Sequence, residues 1–508
     1  MGNNLERSES IKIVYSEFFF VRKIMNNEIY EASNNNDFEQ IDQHVKVDLK
    51  SLRKKFNWEN RDERYDFLEQ LYDLIGVWNS DEYPDFRDIF RTEEINWLFT
   101  EDVRIVNLSH DNDGSIIKFA IKTGYKDEPD VGKDGKPSLL RTTAVHHAAQ
   151  FKLGDWDDVV SELFKIYDRF DVNYTDESGL THFHVACMAN CKNVVEKFLE
   201  LGQDPNCLWQ KTGDSPLHLA LNNTCPEVVE LLLKHGADPN LANNDGSTSV
   251  HVFKMNWDGA MAKMLFEFSN DKYHPIQIDA LDKKGRTPLQ LAVANIVPDM
   301  ICFLLDHGAN LSNFIFPKES DFVDEFKMYG TGSEWHHFLK ELTSDMFDTV
   351  QCLQKIGYEF DQSDVLIIMK IFAKYELFKK SENVDERLCR DEKFVKWAKN
   401  EILSSSLSLY DLMQLRPERA EKLFTLQDYL KVRSSGRYQI FGSELWQTCT
   451  THLSEIQFRR FFRRWTLEFF LTLTHCQLPI LCCEIIMGKL MNEDLWRICL
   501  AATGQSLE

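Results

Sequence analysis

The amino-acid sequence predicts an all-α repeat solenoid with short hairpin loops, flanked by an N-terminal helical region and a C-terminal helical bundle. Three observations indicate this fold class: a short motif that recurs about every 34 residues, a glycine before most copies, and amphipathic helix patterns after them. The chain has 508 residues, whereas single compact cores usually stop growing near about 250 to 300 residues. An elongated array joined to further domains fits that length.

The recurring motif begins with a hydroxyl residue and places a histidine, or once a glutamine, three residues later. Its copies are TAVHHAA, THFHVAC, SPLHLAL, TSVHVF and TPLQLAV, which begin at Thr143, Thr181, Ser215, Thr248 and Thr287. The intervals between them are 38, 34, 33 and 39 residues. Serine and threonine are favoured N-caps, and proline is favoured at the first helical position, so each copy predicts the start of a helix.

Turn and helix signals surround the motif. Glycine stands two residues before four of the copies, which predicts a tight turn there. After the third copy, PEVVELLLKHGADPN predicts a second helix ended by Gly236, with an apolar face formed by Val228, Val229, Leu232 and Leu233. Helices this short are unstable alone, so each pair must stack on its neighbours.

The motif and its period closely resemble ankyrin repeats, whose unit is about 33 residues. About five units are expected over residues 125–312, and the stretch DTVQCLQKIGYEF suggests a degenerate sixth. The resemblance implies that the recurring histidines at 146, 184, 218 and 251, with Gln290 in the last copy, hydrogen-bond within and between units. Their periodicity favours this structural role over a catalytic one.

The remaining segments complete a predicted organisation into four regions. Residues 1–124 are expected to form a helical N-terminal region, a candidate cap for the array. A polar segment at 125–143 predicts a long loop before the first clear unit. Residues 313–404 are predicted to be helical and to include the degenerate repeat, and residues 405–508 to form the C-terminal domain.

The C-terminal region contains an amphipathic and basic stretch, LSEIQFRRFFRRWTLEFF. Its aromatic residues follow helical spacing. Between them lie four arginines: Arg459, Arg460, Arg463 and Arg464. This basic face is either solvated or a contact for an acidic partner, and the sequence leaves both interpretations open.

The apolar stretch that follows resembles an F-box motif, which opens with Leu-Pro and continues with apolar helix positions and an Asp-Leu pair. Leu481 departs from that pattern, since a typical F-box has Glu there. An F-box-like segment behind ankyrin repeats is similar to the arrangement of the PRANC family, poxviral-type ankyrin proteins also found in some parasitoid insects and intracellular bacteria. The resemblance implies docking on the Skp adaptor of a cullin-RING ubiquitin ligase through Leu478, Pro479, Ile485, Ile486, Leu490, Asp494, Leu495 and Ile498.

These resemblances imply a protein–protein interaction adaptor, in which the array binds a target protein and the C-terminal domain recruits the ligase. The alternative is a decoy that sequesters an innate-immune signalling protein of the NF-κB type without recruiting a ligase. Target contacts are expected at hairpin tips, where side chains are not needed for the core. The candidate residues are Tyr174, Asp176, Trp209, Gln210, Asn243, Asn244, Leu281 and Lys283.

Charge, hydropathy and cysteine usage argue against several other classes of protein. The net charge of -23 repels nucleic acid. The most apolar window, 469–488, contains His475, Gln477 and Glu484, so no membrane span is expected. The 12 cysteines are scattered, which favours mostly free thiols in a reducing compartment, the cytoplasm or the nucleus.

Motifs for intrinsic chemistry are weak. The Cys and His residues around His184 are spread round one predicted helix, so convergence on a metal ion is not expected. The glycines near Gly132 and Gly330 lack the spacing of a phosphate loop, and no local nucleophile signature occurs. We therefore expect no cofactor, no bound metal and no enzymatic activity.

Overall fold

The computed structural model confirms the predicted all-α repeat architecture. It describes residues 49–76, 78, 83–106, 115–132, 135–152, 155–252, 259–272, 275–312, 314–326, 333–378, 390–404, 406–415, 417–433, 435, 441 and 443–504. In these ranges β-type pairing is confined to isolated bridges such as Leu140 with Thr175. Two compact units are formed: the first ends at Tyr125 and excludes Val103–His110, and the second contains the rest.

The first unit is a small helical domain. Its helices are α1 (Leu49–Lys54), α2 (Arg61–Gly76), α3 (Thr92–Val106, ending within the second unit) and α4 (Ile116–Lys122). The predicted apolar face of α2 is buried at Phe67 and Leu71. Asp102 is also buried, and its carboxylate accepts hydrogen bonds from the hydroxyl groups of Tyr72 (2.7 Å) and Ser115 (2.8 Å). These bonds offset the cost of burying its polar atoms.

Paired helices follow the predicted period in the second unit. The first helix of each pair starts at the recurring motif, and the second runs back after a turn. The pairs are α5 (Ala144–Phe151) with α6 (Trp156–Ile166), α7 (His182–Met188) with α8 (Lys192–Glu200), α9 (Pro216–Asn222) with α10 (Pro226–Lys234), α11 (Ser249–Val252) with α12 (Gly259–Lys272), and α13 (Pro288–Ala294) with α14 (Pro298–Asp306). Helix α7 packs on α9, and α10 packs on α8 and α12, so the pairs form a stack.

A further pair continues the stack where the degenerate sixth unit is predicted. It consists of α15 (Glu319–Phe326), which packs on α13, and α16 (Ser333–Lys355), which packs on α14. Gly357 follows α16 with a φ of 93°, close to the 94° of Gly308 after α14. A disulfide between Cys302 and Cys352, with Cα atoms 6.3 Å apart, joins α14 to α16. The other described cysteines are free, as expected for most thiols of this chain.

Neighbouring hairpin tips are joined through their backbones. The Asn244 amide donates to the Thr212 carbonyl oxygen (2.9 Å), and the Lys283 amide donates to the Asp245 carbonyl oxygen (2.8 Å). Glycine makes this approach possible: Gly213 has a φ of 72°, and a Cβ atom there would lie 2.6 Å from the Asn244 nitrogen. The predicted glycine turns therefore also serve as contact points between units.

The remaining helices form a bundle around one long helix. They are α17 (Gln362–Lys374), α18 (Glu392–Asn400), α19 (Leu409–Met413), α20 (Pro417–Leu423), α21 (Leu426–Arg433), α22 (Ser443–Leu473), α23 (Ile480–Met487) and α24 (Asn492–Thr503). The long helix α22 packs against α16, α17, α20, α21, α23 and α24. Helix α17 is capped by Asp361, whose side chain accepts from the Asp364 amide.

An aromatic core links the predicted middle region to the C-terminal helices. The ring centroid of Phe372 in α17 lies 4.7 Å from that of Phe458 in α22, and Phe347 in α16 lies 5.3 Å from the same ring. Phe458 and Phe462 are fully buried. Residues on both sides of position 404 therefore contribute to one hydrophobic core.

The close contact at Gly213 gives a testable expectation for array stability. In Gly213→Ala, the alanine must adopt a positive φ, and its Cβ atom clashes with the backbone of Asn244. In Gly202→Ala, the alanine also has a positive φ, of 87°, but its Cβ atom lies in open space. Strain from φ costs both variants about 1 to 3 kcal/mol, and the clash costs Gly213→Ala about 1 to 3 kcal/mol more. Urea unfolding at 25 °C measures the difference. Equal losses of stability would show that the tips do not hold the units together.

Candidate functional site

The recurring histidines form a hydrogen-bonded line along the array. In α7, the Thr181 backbone amide donates to Nδ1 of His184 (3.3 Å), so Nδ1 carries no proton and Nε2 is the donor. Nε2 of His184 then donates to the Cys207 carbonyl oxygen of the next unit (3.2 Å). In the same way, Nε2 of His218 donates to the Ser247 carbonyl oxygen at 2.9 Å. The imidazoles of His184, His218 and His251 thus each join their own helix cap to the following repeat, while Nδ1 of His146 accepts from the amide of its own cap, Thr143.

Gln290 reproduces this arrangement with an amide. Its Oε1 accepts from the Thr287 backbone amide (2.8 Å), and its Nε2 donates to the Ile315 carbonyl oxygen (3.1 Å). An amide cannot act as a general base near neutral pH, yet it occupies the same position and makes equivalent bonds. The predicted structural role of the recurring histidines is therefore confirmed.

Burial keeps these histidines neutral. His184 is almost completely inaccessible, and desolvation lowers the pKa of its imidazole to about 4. Burial also lowers the pKa of His218 and of His251. A proton added at Nδ1 would remove the acceptor that the helix cap needs, so the neutral form is the one that fits the repeat.

The segment before the first repeat, which the sequence predicts as a long loop, is fixed by a buried ion pair. Nη1 of Arg141 donates to Oδ1 of Asp127 (3.0 Å), and the Tyr174 hydroxyl donates to Oδ2 of the same carboxylate (2.7 Å). The guanidinium carbon of Arg141 lies 5.3 Å from the centre of the Tyr174 ring. Removal of either Asp127 or Arg141 would leave the other charge without its partner, which is costly inside a protein.

Two of the predicted target contacts are wrong. Tyr174 is only 3% exposed because its ring and hydroxyl belong to the cluster with Asp127 and Arg141. Asp176 is 5% exposed because its Oδ1 accepts the backbone amides of Ser178 and Leu180 within the turn. Neither side chain is available to a partner protein in this fold.

The next predicted tip residues are accessible but engaged within the array. Nε1 of the half-buried Trp209 donates to Oγ of Ser178 at 3.0 Å. Asn243 donates through Nδ2 to Oδ1 of Asp214 at 2.8 Å. The remaining members of this group, Gln210 and Asn244, are exposed and lie against glycines of the preceding unit.

Leu281 and Lys283 are also exposed among the predicted tip residues. Leu281 is 63% exposed, and the Lys283 side chain is also exposed. The exposed Leu208 and Ile315 lie in the loops of other units and were not among the sequence candidates. Their apolar character in a polar loop was the signal that could have identified them.

The thiols near His184 are largely buried. Burial raises the pKa of Cys191 and of Cys207, each to about 12. In the part of the chain that the structure describes, no group of His, Cys, Asp and Glu residues could hold a metal ion.

The basic stretch of α22 is divided between the interior and the surface. Arg459 is 1% exposed and pairs with Glu421 of α20, to which Arg463 also binds, with Nη2 and Oε1 3.2 Å apart. Arg460 and Arg464 are exposed. The interpretation of all four arginines as one exposed basic face is therefore wrong. Arg459 and Arg463 lie one helical turn apart on the side of α22 that contacts Glu421, whereas Arg460 and Arg464 lie on its exposed side.

Helix α23 carries an exposed apolar face at the predicted F-box-like position. Only Cys483 and Met487, one turn apart, face the bundle and are buried. The opposite face is largely open, with Ile485 63% exposed and Ile486 39% exposed. Leu478, 37% exposed, and the exposed Pro479 precede it. The sequence candidates missed Ile480 and Leu481, which are 55% and 71% exposed.

The candidates in and before α24 lie closer to the core. Leu490 and Ile498 are half-buried, and Asp494 is half-buried with its Oδ2 accepting the Met491 backbone amide at 3.0 Å. Leu495 is fully buried in the bundle. It cannot contact a partner without α24 leaving α22, so its inclusion among the docking residues is wrong.

The apolar window 469–488 is divided between two helices, since α22 ends at Leu473 and α23 begins at Ile480. No helix in the described ranges combines the length and apolar composition that crossing a bilayer requires.

Comparison with protein families identifies the array. The family described as "Ankyrin repeats (3 copies)" matches residues 105–208, 145–243 and 217–314. The chain therefore contains ankyrin repeats, which indicates a protein-binding role. The matches end before α15, so the sixth pair and the C-terminal bundle lie outside them. No curated protein matches the chain.

The buried histidines predict how array stability depends on pH. The unfolded imidazole has a pKa near about 6.5 and the folded His184 a pKa of about 4, so the unfolded state binds more protons between these values. Stability is therefore lost as pH falls through this window, by about 2 kcal/mol for His184 between pH 6.5 and pH 5. His184→Gln, which introduces the side chain that Gln290 provides in the last repeat, should remove that part of the loss.

Urea unfolding of the wild-type chain and of His184→Gln at pH 7 and pH 5 tests this expectation. The acid-induced loss should be smaller in His184→Gln than in the wild-type chain. An unchanged loss in His184→Gln would mean that this imidazole takes up a proton in the folded state.

Proposed function

We propose that the protein is a recruiting adaptor: its ankyrin repeats bind a target protein, and the region of α23 docks on a Skp-type adaptor of a cullin-RING ubiquitin ligase. One observation carries the second half of this proposal, the exposed apolar face of α23 directly after Leu478 and Pro479. That is the place where the F-box-like resemblance expects the docking helix.

The energetics of this face favour association with another protein. Leu481 and Ile485 hold most of their side chains in water, at 71% and 63% exposure. Burying a side chain of this size fully contributes about 1.5 to 3 kcal/mol. Neighbouring Ile480 and Ile486 extend the same face, and contiguous apolar surface on a folded chain is typical of interaction sites.

The departure from the F-box pattern at Leu481 also fits an apolar contact. A typical motif has a charged glutamate here, whereas the leucine of this chain adds an exposed apolar side chain to the face. The proposed docking set is therefore Leu478, Pro479, Ile480, Leu481, Ile485 and Ile486, with Leu490 at its margin.

The ankyrin array supplies the other contact. Leu281 and Lys283 are predicted tip residues with exposed side chains, and Trp209 is half-buried. Aromatic residues of this kind often dominate binding energy at interfaces. In this proposal the chain makes and breaks no bond itself, and it acts by raising the effective concentration of the target near the ligase.

The alternative function is a decoy that sequesters a signalling protein through the array alone. The extent of the family match favours it, since the matched residues 105–314 cover the repeats and stop before the C-terminal bundle. In a decoy the apolar face of α23 would have no part in activity.

The exposed position of Ile485 allows the proposal to be tested without damage to the core. Ile485→Asp should lower affinity for purified Skp by at least about tenfold, because a charge would be buried in an apolar contact. Ile402→Asp, at a side chain 51% exposed on a different part of the bundle, is the matched control and should bind normally. Truncation at Cys476 is a less clean test, because α24 packs along α22.

Affinity purification of the same variants from cells separates adaptor from decoy. If the chain is an adaptor, purification of Ile485→Asp should recover the target protein but no longer recover Skp and cullin. A wild-type chain that captures a target and no ligase component supports the decoy and refutes ligase recruitment.

A further inference from the structure

Helix α23 has little packing of its own to hold it in place. It spans only Ile480–Met487, and two of its side chains, Cys483 and Met487, are buried against the bundle. Its N-cap is Pro479, which makes no side-chain capping bond. Isolated helices of this length are unstable in water, so contacts at its ends must define its orientation.

The carboxyl end of α23 is held from α22 by Arg459. Nη2 of this arginine donates to the Gly488 carbonyl oxygen at 2.6 Å, and Nη1 donates to the Leu490 carbonyl oxygen. Both acceptors lie in the short turn between α23 and α24. A cation at the carboxyl end of a helix is favoured by the helix dipole, and charge-assisted bonds of this type are the stronger ones.

Glu421 of α20 balances the charge of Arg459 within the bundle. Nε of Arg459 lies 3.5 Å from Oε2 of Glu421, and the two side chains are 1% and 5% exposed. Arg463 binds both oxygens of the same carboxylate, with Nη2 3.2 Å from Oε1 and Nη1 donating to Oε2 at 3.3 Å. The guanidinium is thus fixed between one carboxylate and two carbonyl oxygens, so removal of any partner leaves buried charge without compensation.

One side of α23 faces the bundle through the buried Cys483 and Met487, which leaves Leu481 and Ile485 on the outside.

We infer that Arg459, held by Glu421, is the positioning residue that orients α23 and keeps its apolar face uncovered for the adaptor. The inference rests on the proposed function for its partner, while the clamp itself is a property of the free chain. An apolar helix released from the turn would be free to fold its open face onto its own bundle. Holding it in the binding orientation removes that competing state and raises affinity.

The test uses the full-length chain with Arg459→Lys. Lysine keeps the positive charge and the aliphatic stem, but a single ammonium group cannot replace the fork that spans both carbonyl oxygens. Arg460→Lys, at the exposed neighbouring position, is the matched control. Glu421→Gln keeps the shape of the carboxylate without its charge and gives a second, milder variant if Arg459→Lys folds poorly.

The direct readout is the rate at which a maleimide labels Cys483, which is buried on the inner face of α23 beside the exposed Cys482. With Cys482 changed to serine in all variants, labelling of Cys483 should rise by at least about tenfold in Arg459→Lys, since charged buried hydrogen bonds are lost. Cys187 in α7 should stay protected in every variant, which rules out global unfolding. Skp affinity should fall by a similar factor.

The two proposals fail in different ways. Equal labelling of Cys483 in Arg459→Lys and Arg460→Lys, with Glu421→Gln also unchanged, overturns the positioning role whatever the binding result. Faster labelling in Arg459→Lys, with no adaptor binding even by the wild-type chain, upholds the positioning role and refutes the proposed function.

Discussion

The array depends on the hydrogen bond from Nε2 of a buried, neutral histidine to a carbonyl oxygen of the next repeat, seen at 2.9 Å for His218 and Ser247. The same ring caps its own helix through Nδ1, so one side chain couples the local fold of a unit to its neighbour. Backbone bonds between hairpin tips, such as Asn244 to Thr212, add a second connection. Since each short helix pair is unstable alone, these links and the shared apolar faces make the units stable as a stack.

The C-terminal bundle is built differently. Its long helix α22 packs against helices that precede it in the sequence and against helices that follow it. Its aromatic residues complete a core with α16 and α17, and its arginines are divided between the interior and the surface. Helix α23 is the part that this core covers least. It is bound through two buried side chains and the clamp at its carboxyl end, and its open apolar face is the surface that supports an interaction beyond the repeats.

Spacing alone predicted much of the array, because an N-cap, a helix period and a glycine turn are local features. The burial of Tyr174 could not be predicted from local spacing. Its hydroxyl group donates to Asp127, which lies 47 residues earlier in the chain. Arg459 is similar, since its partner Glu421 lies on α20 and its partner Gly488 lies in the turn after α23. In α23 nearly every residue is apolar, so the sequence could not show which face is buried. Only the positions of Cys483 and Met487 against α22 decide it.

Hydrogen–deuterium exchange of the full-length chain, with and without a saturating amount of purified Skp, probes the docking role of α23 in the unmodified protein. Skp should slow exchange in the segment 478–490 alone and leave the ankyrin repeats unaffected. Unchanged exchange in that segment, or protection located only in the repeats, would contradict the assignment of α23 as the docking surface.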